Sequence, residues 1–230
     1  MRYIIIIIIN VICFQSSYAQ IHEIGVYLGG SNYIGDIGAT NYIYPKKLAY
    51  GGIYKWNRSP RHSWRISGII TDLEMMDKNA SDPRRVERNY NGVKTIGELS
   101  GGIEFTFTEF DLHKTGRQHT PYLFGGISAT NYNETYITNS GSSSFTGDKK
   151  WALGIPMAIG YKYRFSEGFI IAAEIGARYT FTDKLDGSEY FDENTATDYS
   201  FGNLNNNDWY VFSGITLTYT FGRNPCYCIN

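Results

Sequence analysis

The sequence predicts an all-β fold, an eight-stranded antiparallel transmembrane β-barrel with long extracellular loops and short periplasmic turns. Three observations lead to this prediction. The composition is rich in aromatic residues (16%) and in glycine (25 residues), as is common in sheet proteins. Apolar residues alternate with small or polar ones at the period of two that marks β-strands. The connections between the alternating runs are long and short in turn, which is the rhythm of an outer-membrane barrel.

The start of the chain has the build of a secretory signal peptide. Arg2 precedes an apolar run at 4–14, and small and polar residues follow as far as Ala19. This run is too short to span a bilayer with ease, and no later run is long and apolar enough for a membrane helix. The sequence therefore divides into a signal peptide at 1–19, an outer-membrane barrel at 20–222 and a periplasmic tail at 223–230.

The alternation is clearest in the segment 151–165, which has large apolar residues on one face and small or charged residues on the other. The segments 169–181 and 209–221 repeat this division. Weaker runs lie near 21–30, 48–56, 62–71, 97–109 and 120–130. These eight runs predict eight strands, and an even number of strands places both ends of the barrel chain in the periplasm.

The connections distinguish the two ends of the predicted barrel. The long ones lie at 31–47, 72–96, 131–150 and 182–207. The short ones lie at 57–61, 110–119 and 166–168. In outer-membrane barrels the long loops lie outside the cell and the short turns lie in the periplasm, so this pattern predicts a barrel in contact with outer-membrane lipid.

Alternation alone does not tell which face is outside, because a soluble lipocalin-like barrel also alternates but keeps its apolar face inward. The polar face here is rich in Gly, Ala and Thr, which suits the narrow lumen of a small barrel. Trp, Tyr and Phe near the strand ends match the aromatic girdles of membrane proteins. We therefore expect Leu153, Ile155 and Ile159 to face lipid and Lys162 to face the lumen.

An eight-stranded barrel has room inside only for side chains, so the sequence predicts a plugged interior. If the short turn at 166–168 sets the register of its hairpin, Glu174 lies diagonal to Lys162 on the lumen face and within its reach. Ion pairs that fill a dry lumen are favoured over conduction or a proton relay. The predicted lumen network comprises Lys162, Arg164, Glu174 and Arg178, with Arg65, Glu98 and Glu104 as further members.

No catalytic set emerges from the sequence. The four histidines map to strand starts or turns on the periplasmic side, away from the outer leaflet where a lipid-modifying barrel enzyme would act. They are His22, His62, His113 and His119. The acidic segment 183–198 lacks the spacing of a calcium loop, so it and the basic segment 82–88 are expected to be solvated. The sequence thus predicts a protein that is not an enzyme and has no cofactor or metal, and the net charge of −1 offers no basic field for nucleic acid.

Three stretches are the most distinctive of the chain: residues 31–36 (SNYIGD), residues 182–186 (TDKLD) and the tail Pro225-Cys226-Tyr227-Cys228. With the strand sequences between them, they resemble the PorG-type outer-membrane barrels of the type IX secretion system over almost the whole mature chain. The resemblance implies a non-enzymatic barrel associated with a periplasmic ring lipoprotein and its soluble partner, of the PorK and PorN type. Such a machine exports proteins and, in gliding cells, supports motility. The loop 134–149 has no counterpart in this resemblance.

On the same resemblance, the tail is a partner-docking element formed by Pro225, Cys226, Tyr227 and Cys228, next to the short periplasmic turns. Cys226 and Cys228 are too close together for a relaxed disulfide with each other. In an oxidising compartment they would bridge to a partner, bind a metal or stay unpaired. A terminal segment without a task is the alternative.

Two other functions stay open. One is a generic structural or adhesion barrel that acts through its extracellular loops. The other is a lipid-active enzyme, which requires a lipid-facing nucleophile that the sequence does not reveal.

Overall fold

The computed structural model describes residues 21–138, 140–188, 190–192, 196–203 and 207–222. The proposed signal peptide and the proposed tail at 223–230 lie outside these residues. The strands are β1 (Ile21–Ile34), β2 (Lys47–Ser59), β3 (His62–Met76), β4 (Asn91–Thr106), β5 (Gln118–Ile137), β6 (Ser143–Ser166), β7 (Phe169–Thr180), β8 (Phe191–Asp192), β9 (Thr197–Asp198) and β10 (Trp209–Phe221). A 3-10 turn at Asp77–Asn79 and a short helix at Pro83–Arg88 lie between β3 and β4. Within the described ranges, the helices are too short and polar to cross a membrane.

Eight of these strands close into a single antiparallel barrel, as the sequence predicts. The order around the barrel is β1-β10-β7-β6-β5-β4-β3-β2, and β8 and β9 form a separate two-stranded sheet in the connection that follows β7. The seam joins β1 to β10 from the pair His22–Phe221 to the pair Ile34–Trp209. Because the ring is closed, its strands leave no open edge that would need hydrogen bonds from solvent.

The polarity of the barrel is inverted relative to that of a soluble protein. Leu153 and Ile159 point outward and are 67% and 58% exposed, whereas Lys162 on the same strand is buried inside. Arg65, Glu98, Glu104 and Arg178 are likewise buried in the interior. The predicted faces of β6 are therefore confirmed. An apolar exterior around a charged interior is the arrangement that hydrocarbon requires of a spanning barrel.

The connections define two ends. The turn end carries the connections 60–61, 107–117 and 167–168, together with the start of β1 and the end of β10. The loop end carries the connections 35–46, 77–90, 138–142 and 181–208. The expected long loop at 131–150 is wrong, because β5 and β6 continue through it as a projecting hairpin and meet near 138–142. One face of this hairpin is buried at Tyr132, Thr135 and Ile137, but the polar residues around them hide the alternation in the sequence.

Candidate functional site: the filled lumen and the two barrel ends

The lumen is filled by layers of charged side chains that pair across it. Nearest the turn end, Glu104 on β4 forms an ion pair with Lys55 on β2 at 2.7 Å and accepts a hydrogen bond from Lys162 on β6 at 2.8 Å. All three side chains are almost completely buried. Lys162 also lies over the ring of Phe110, 4.7 Å from its centroid. One carboxylate therefore joins three strands of the barrel.

Two further layers lie toward the loop end. Arg65 on β3 makes a two-pronged contact with Glu174 on β7, with Nη2 3.1 Å from Oε1. These strands lie on opposite sides of the ring, so this pair spans the full width of the lumen. In the next layer Nε of Arg178 lies 3.2 Å from Glu98 Oε2. Bidentate and charge-assisted contacts of this kind fix side chains more firmly than neutral hydrogen bonds do.

Tyrosines complete both of these layers. The Tyr122 hydroxyl donates to Glu174 at 2.7 Å, and the Tyr210 hydroxyl donates to Glu98 at 2.6 Å. Both tyrosines and Lys55 are absent from the predicted network, although the phase of the alternation places all three on the lumen face. The period of two indicates that these side chains point inward, but tyrosine in a barrel is more typical of the aromatic girdle at the membrane interface.

The predicted network members lie in the interior, but their partners differ from the expected ones. Glu174 does face Gly160 in the register, which leaves Lys162 on the diagonal. Lys162 nevertheless donates to Glu104, and Glu174 binds Arg65. The expected Lys162–Glu174 contact is therefore wrong. The reason is geometric: in so narrow a barrel, side chains from non-adjacent strands meet across the axis as readily as neighbours do.

Arg164 has a different role from the other network members, because it holds the connection 107–117 over the turn end. Its guanidinium donates to the carbonyl oxygens of Leu112 at 3.2 Å and Gly116 at 2.7 Å, and also to that of Lys114. Phe110 of the same connection is buried beneath it. The turn end of the lumen is thus covered by backbone that an arginine side chain ties down.

An exterior ring of aromatic and histidine side chains surrounds the turn end. His22 hydrogen-bonds to the Tyr54 hydroxyl at 2.8 Å, and His119 to the Tyr161 hydroxyl at 2.5 Å. All four histidines lie at this end, as the sequence analysis expects. Amphipathic rings with a polar edge are typical of the boundary between hydrocarbon and water, so this ring marks one membrane interface.

At the loop end, the basic segment 82–88 is not a free solvated stretch. Arg85 donates to the carbonyl oxygens of Gly35 at 2.8 Å and Gly38 at 3.0 Å. Arg88 binds the buried carboxylate of Asp77, with Nε 2.8 Å from Oδ2, and donates to the Asp36 carbonyl oxygen at 2.7 Å. The expectation of a solvated segment is therefore wrong for these two arginines, which join the first two loops.

The acidic segment 183–198 also departs from expectation, because its first part is buried in the barrel mouth. Asp208 accepts from the amide of Leu185 at 2.8 Å and from the Tyr33 hydroxyl, and Asp186 accepts from the amides of Ser188 at 2.8 Å and Asp36 at 3.1 Å. Burial raises the pKa of Asp208 well above the ordinary carboxyl range, and the nearby charge of Asp186 adds to the rise. Burial raises the pKa of Asp186 as well. These carboxyls fasten the loop to β1 instead of facing water.

The described residues contain no group of three or more His, Cys, Asp or Glu side chains placed to hold a metal ion. The candidate docking residues Pro225, Cys226, Tyr227 and Cys228 lie outside the described part of the chain.

A closed eight-stranded ring, an apolar exterior and a charged, filled lumen together define a transmembrane β-barrel. The chain belongs to the family described as Domain of unknown function (DUF6089), whose sequence pattern matches residues 2–230. A comparison with curated proteins gave no match.

Solved structures of outer-membrane proteins resemble the chain in outline. The N-terminal β-barrel domain of Pseudomonas aeruginosa OprF is 14% identical, over 88% of this chain and 98% of that chain, with a TM-score of 0.45. Ail of Yersinia pestis, in complex with the heparin analogue sucrose octasulfate, is 11% identical over 89% and 100%, with a TM-score of 0.43. Neisserial surface protein A is 11% identical over 88% and 97%, with a TM-score of 0.44.

Proposed function

We propose that this chain is a non-enzymatic outer-membrane barrel that associates with the periplasmic ring of a type IX protein secretion machine. The partners would be a ring lipoprotein and its soluble companion, of the PorK and PorN type, and in gliding cells the same assembly would support motility. The proposal rests on the sequence resemblance of the strands, of the stretches 31–36 and 182–186 and of the tail to PorG-type barrels.

The structural observation that supports this proposal is the position of the β1–β10 seam. The pair His22–Phe221 at one end of the seam lies at the turn end, so the described part of the chain ends there and the seam is complete before residue 223. In the proposed orientation the turn end faces the periplasm. A segment that the barrel does not need for closure, at the end that faces a periplasmic assembly, suits a docking role.

The filled lumen supports a scaffold in preference to a pore. The layers of Glu104, Glu174 and Glu98 occupy the interior along its length, and Arg164 holds a cover over the turn end. We propose that the barrel anchors the machine in the membrane through the tail residues Pro225, Cys226, Tyr227 and Cys228, while exported proteins pass elsewhere.

Deletion of residues 223–230 tests the proposal. The shortened chain should still fold and reach the outer membrane, because every pair of the β1–β10 seam precedes Gly222. It should lose the ring proteins in affinity purification from native membranes, and export of type IX cargo should fall. The variant Cys226→Ser/Cys228→Ser then shows how the tail binds. If it loses the ring proteins, the contact is a disulfide bridge or a metal bound by the cysteines. If it keeps them, the contact is made by Tyr227 and the backbone.

A matched control shortens the loop end. Replacing residues 134–148 of the projecting β5–β6 hairpin by a tight turn should leave the ring complex and export intact. If this variant abolishes function while the tail-less barrel still holds the ring and exports normally, the docking role is refuted. Function would then belong to the generic structural or adhesion barrel that acts through its outer loops.

A further inference from the structure

An apolar groove lies on the outer wall of the barrel, toward the loop end, across strands β2 to β6. Its volume is about 530 Å³, within the range of roughly 300–1,000 Å³ that is usual for ligand sites. The walls are the outward side chains of Tyr50, Ile70, Leu99 and Trp151, each at least half exposed. Glu98 of the lumen network also lines the groove, but its side chain is buried in the interior and adds no exposed charge to this wall. The groove is therefore a feature of the membrane-facing surface.

The floor of the groove consists of outward-facing glycines that the backbone does not require. A β-carbon added at Gly97 would meet no atom within 4 Å, and one at Gly52 or Gly68 would meet its nearest neighbour at 4.0 Å. At Gly51, which faces the lumen, an added carbon would instead collide with the carbonyl oxygen of Gly68. Packing thus explains the glycine inside the barrel, whereas the three outside leave open space where a side chain would fit.

The strand register shows how this space is shaped. One row across five strands pairs Tyr50 with Ile70, Ile70 with Gly97, Gly97 with Asn131 and Asn131 with Trp151. Glycine and asparagine therefore form a gap between two ridges of large side chains. A flexible hydrocarbon chain can fill a gap of this shape, whereas a rigid protein partner would need a matching ridge.

Polar side chains edge the groove on the side nearest the loops. Asp72 and Thr95 are paired one pleat above Ile70 and Gly97, and the Thr95 hydroxyl donates to Asp72 Oδ1 at 2.7 Å. Asn133 and Lys149 are paired in the corresponding position above Asn131 and Trp151. This edge offers a carboxylate, a hydroxyl, an amide and an ammonium group, a mixture that suits the hydroxyl groups of a sugar.

We propose that the groove binds an acyl chain of an outer-leaflet glycolipid, whose sugar headgroup lies against Asp72, Thr95, Asn133 and Lys149. The inference rests on the proposed outer-membrane location, in which the loop end faces outward and the groove lies at outer-leaflet depth. The bound glycolipid is a structural lipid of the barrel, distinct from the ring contacts at the turn end.

Native mass spectrometry of the full chain, purified in mild detergent from outer membranes, tests the inference. The wild-type barrel should retain a glycolipid of the mass of the host's lipid A after collisional activation. The variant Gly97→Leu should lose it, because the leucine fills the floor. Gly52→Leu should do the same from the adjoining strand. Both should fold, because leucine is favourable on a lipid-facing strand surface.

Gly125→Leu provides the matched control. Gly125 also faces outward with no atom within 4 Å of an added β-carbon, but it lies outside the groove, paired with Ile103 and Met157. This variant should keep the glycolipid. The inference is overturned if the Gly97→Leu and Gly125→Leu variants both retain the glycolipid or both lose it. It is also overturned if the wild-type barrel retains a phospholipid instead, or if it forms a dimer that Gly97→Leu dissociates. Absence of the chain from the outer-membrane fraction would instead overturn the proposed location.

Discussion

The substitution Glu104→Gln tests whether the lumen network holds the barrel together. Glu104 is completely buried and forms ion pairs with two lysines, Lys55 at 2.7 Å and Lys162 at 2.8 Å, whose side chains are themselves 2% exposed. Glutamine has nearly the same shape but no charge, so it leaves two ammonium groups in the lumen without a counter-charge. Removing one partner of a buried ion pair costs about 3–5 kcal/mol. The two contacts share one carboxylate, so their costs do not simply add.

The measurement is unfolding of the barrel from lipid vesicles by guanidinium chloride, followed by tryptophan fluorescence and extrapolated to water. The Glu104→Gln variant should lose about 3–5 kcal/mol of unfolding free energy. Adding Lys55→Met should restore part of this loss, because it removes one of the uncompensated charges. The dependence of the unfolding free energy on denaturant concentration should stay unchanged, because the surface exposed on unfolding is the same.

The control is Glu109→Gln in the connection 107–117. Glu109 lies 3.7 Å from Lys114, and both side chains are more than half exposed. Ion pairs of this kind contribute about 0.2–1 kcal/mol. If the Glu104 and Glu109 variants unfold with the same free energy, the argument that the buried carboxylate joins three strands is refuted.

Three further predictions follow from the exterior, the lumen and the loop end. Ile155→Arg places a charge on the lipid face and should cost about 2–4 kcal/mol in the same vesicle assay; unchanged stability would contradict the assignment of that face. In planar bilayers the purified barrel should show no steady large conductance, because its lumen is filled, and stable open channels for small solutes would contradict this. In the folded state the pKa of Asp208 is raised, so its carboxyl holds a proton that it would release if the connection 181–208 opened. The docked connection should therefore become less stable as pH rises through the raised pKa. Amide exchange at Leu185 should quicken with pH relative to an Asp208→Asn variant at the same pH, and identical exchange in both proteins would count against the buried carboxyl.

The barrel itself was predictable from the sequence because two constraints act on every residue of a strand. Successive side chains point to opposite faces, and hydrocarbon demands an apolar face outside. The residues of β6 obey both constraints from Trp151 to Tyr163, and their faces were assigned correctly. The second constraint ends where the membrane ends. The hairpin formed by β5 and β6 continues beyond that point with few apolar residues, so its sequence lacks the regular alternation that predicts a strand, although Tyr132 and Ile137 are buried.

The partners within the lumen could not be read from the sequence for a different reason. Strand register relates neighbours such as Gly160 and Glu174, but the contact between Arg65 and Glu174 joins strands on opposite sides of the ring. Such a contact depends on the tilt and stagger of all eight strands together. At the loop end, the high content of charged residues wrongly suggested that the segments are solvated. Arg88 and Asp77 lie in one loop and neutralise each other there, so their charge did not imply solvation.

The layered interior has a consequence for how the two ends can communicate. A structural change at the loop end would have to pass the pairs Arg178–Glu98 and Arg65–Glu174 and the contacts of Glu104 before reaching Arg164. Breaking any one of these buried pairs costs about 3–5 kcal/mol, so a change that opens several of them would be very rarely populated. The barrel therefore isolates its two ends from each other. A barrel built in this way is suited to be a fixed support in the membrane, as the proposed docking role requires, and poorly suited to relay the binding of a ligand from one end to the other.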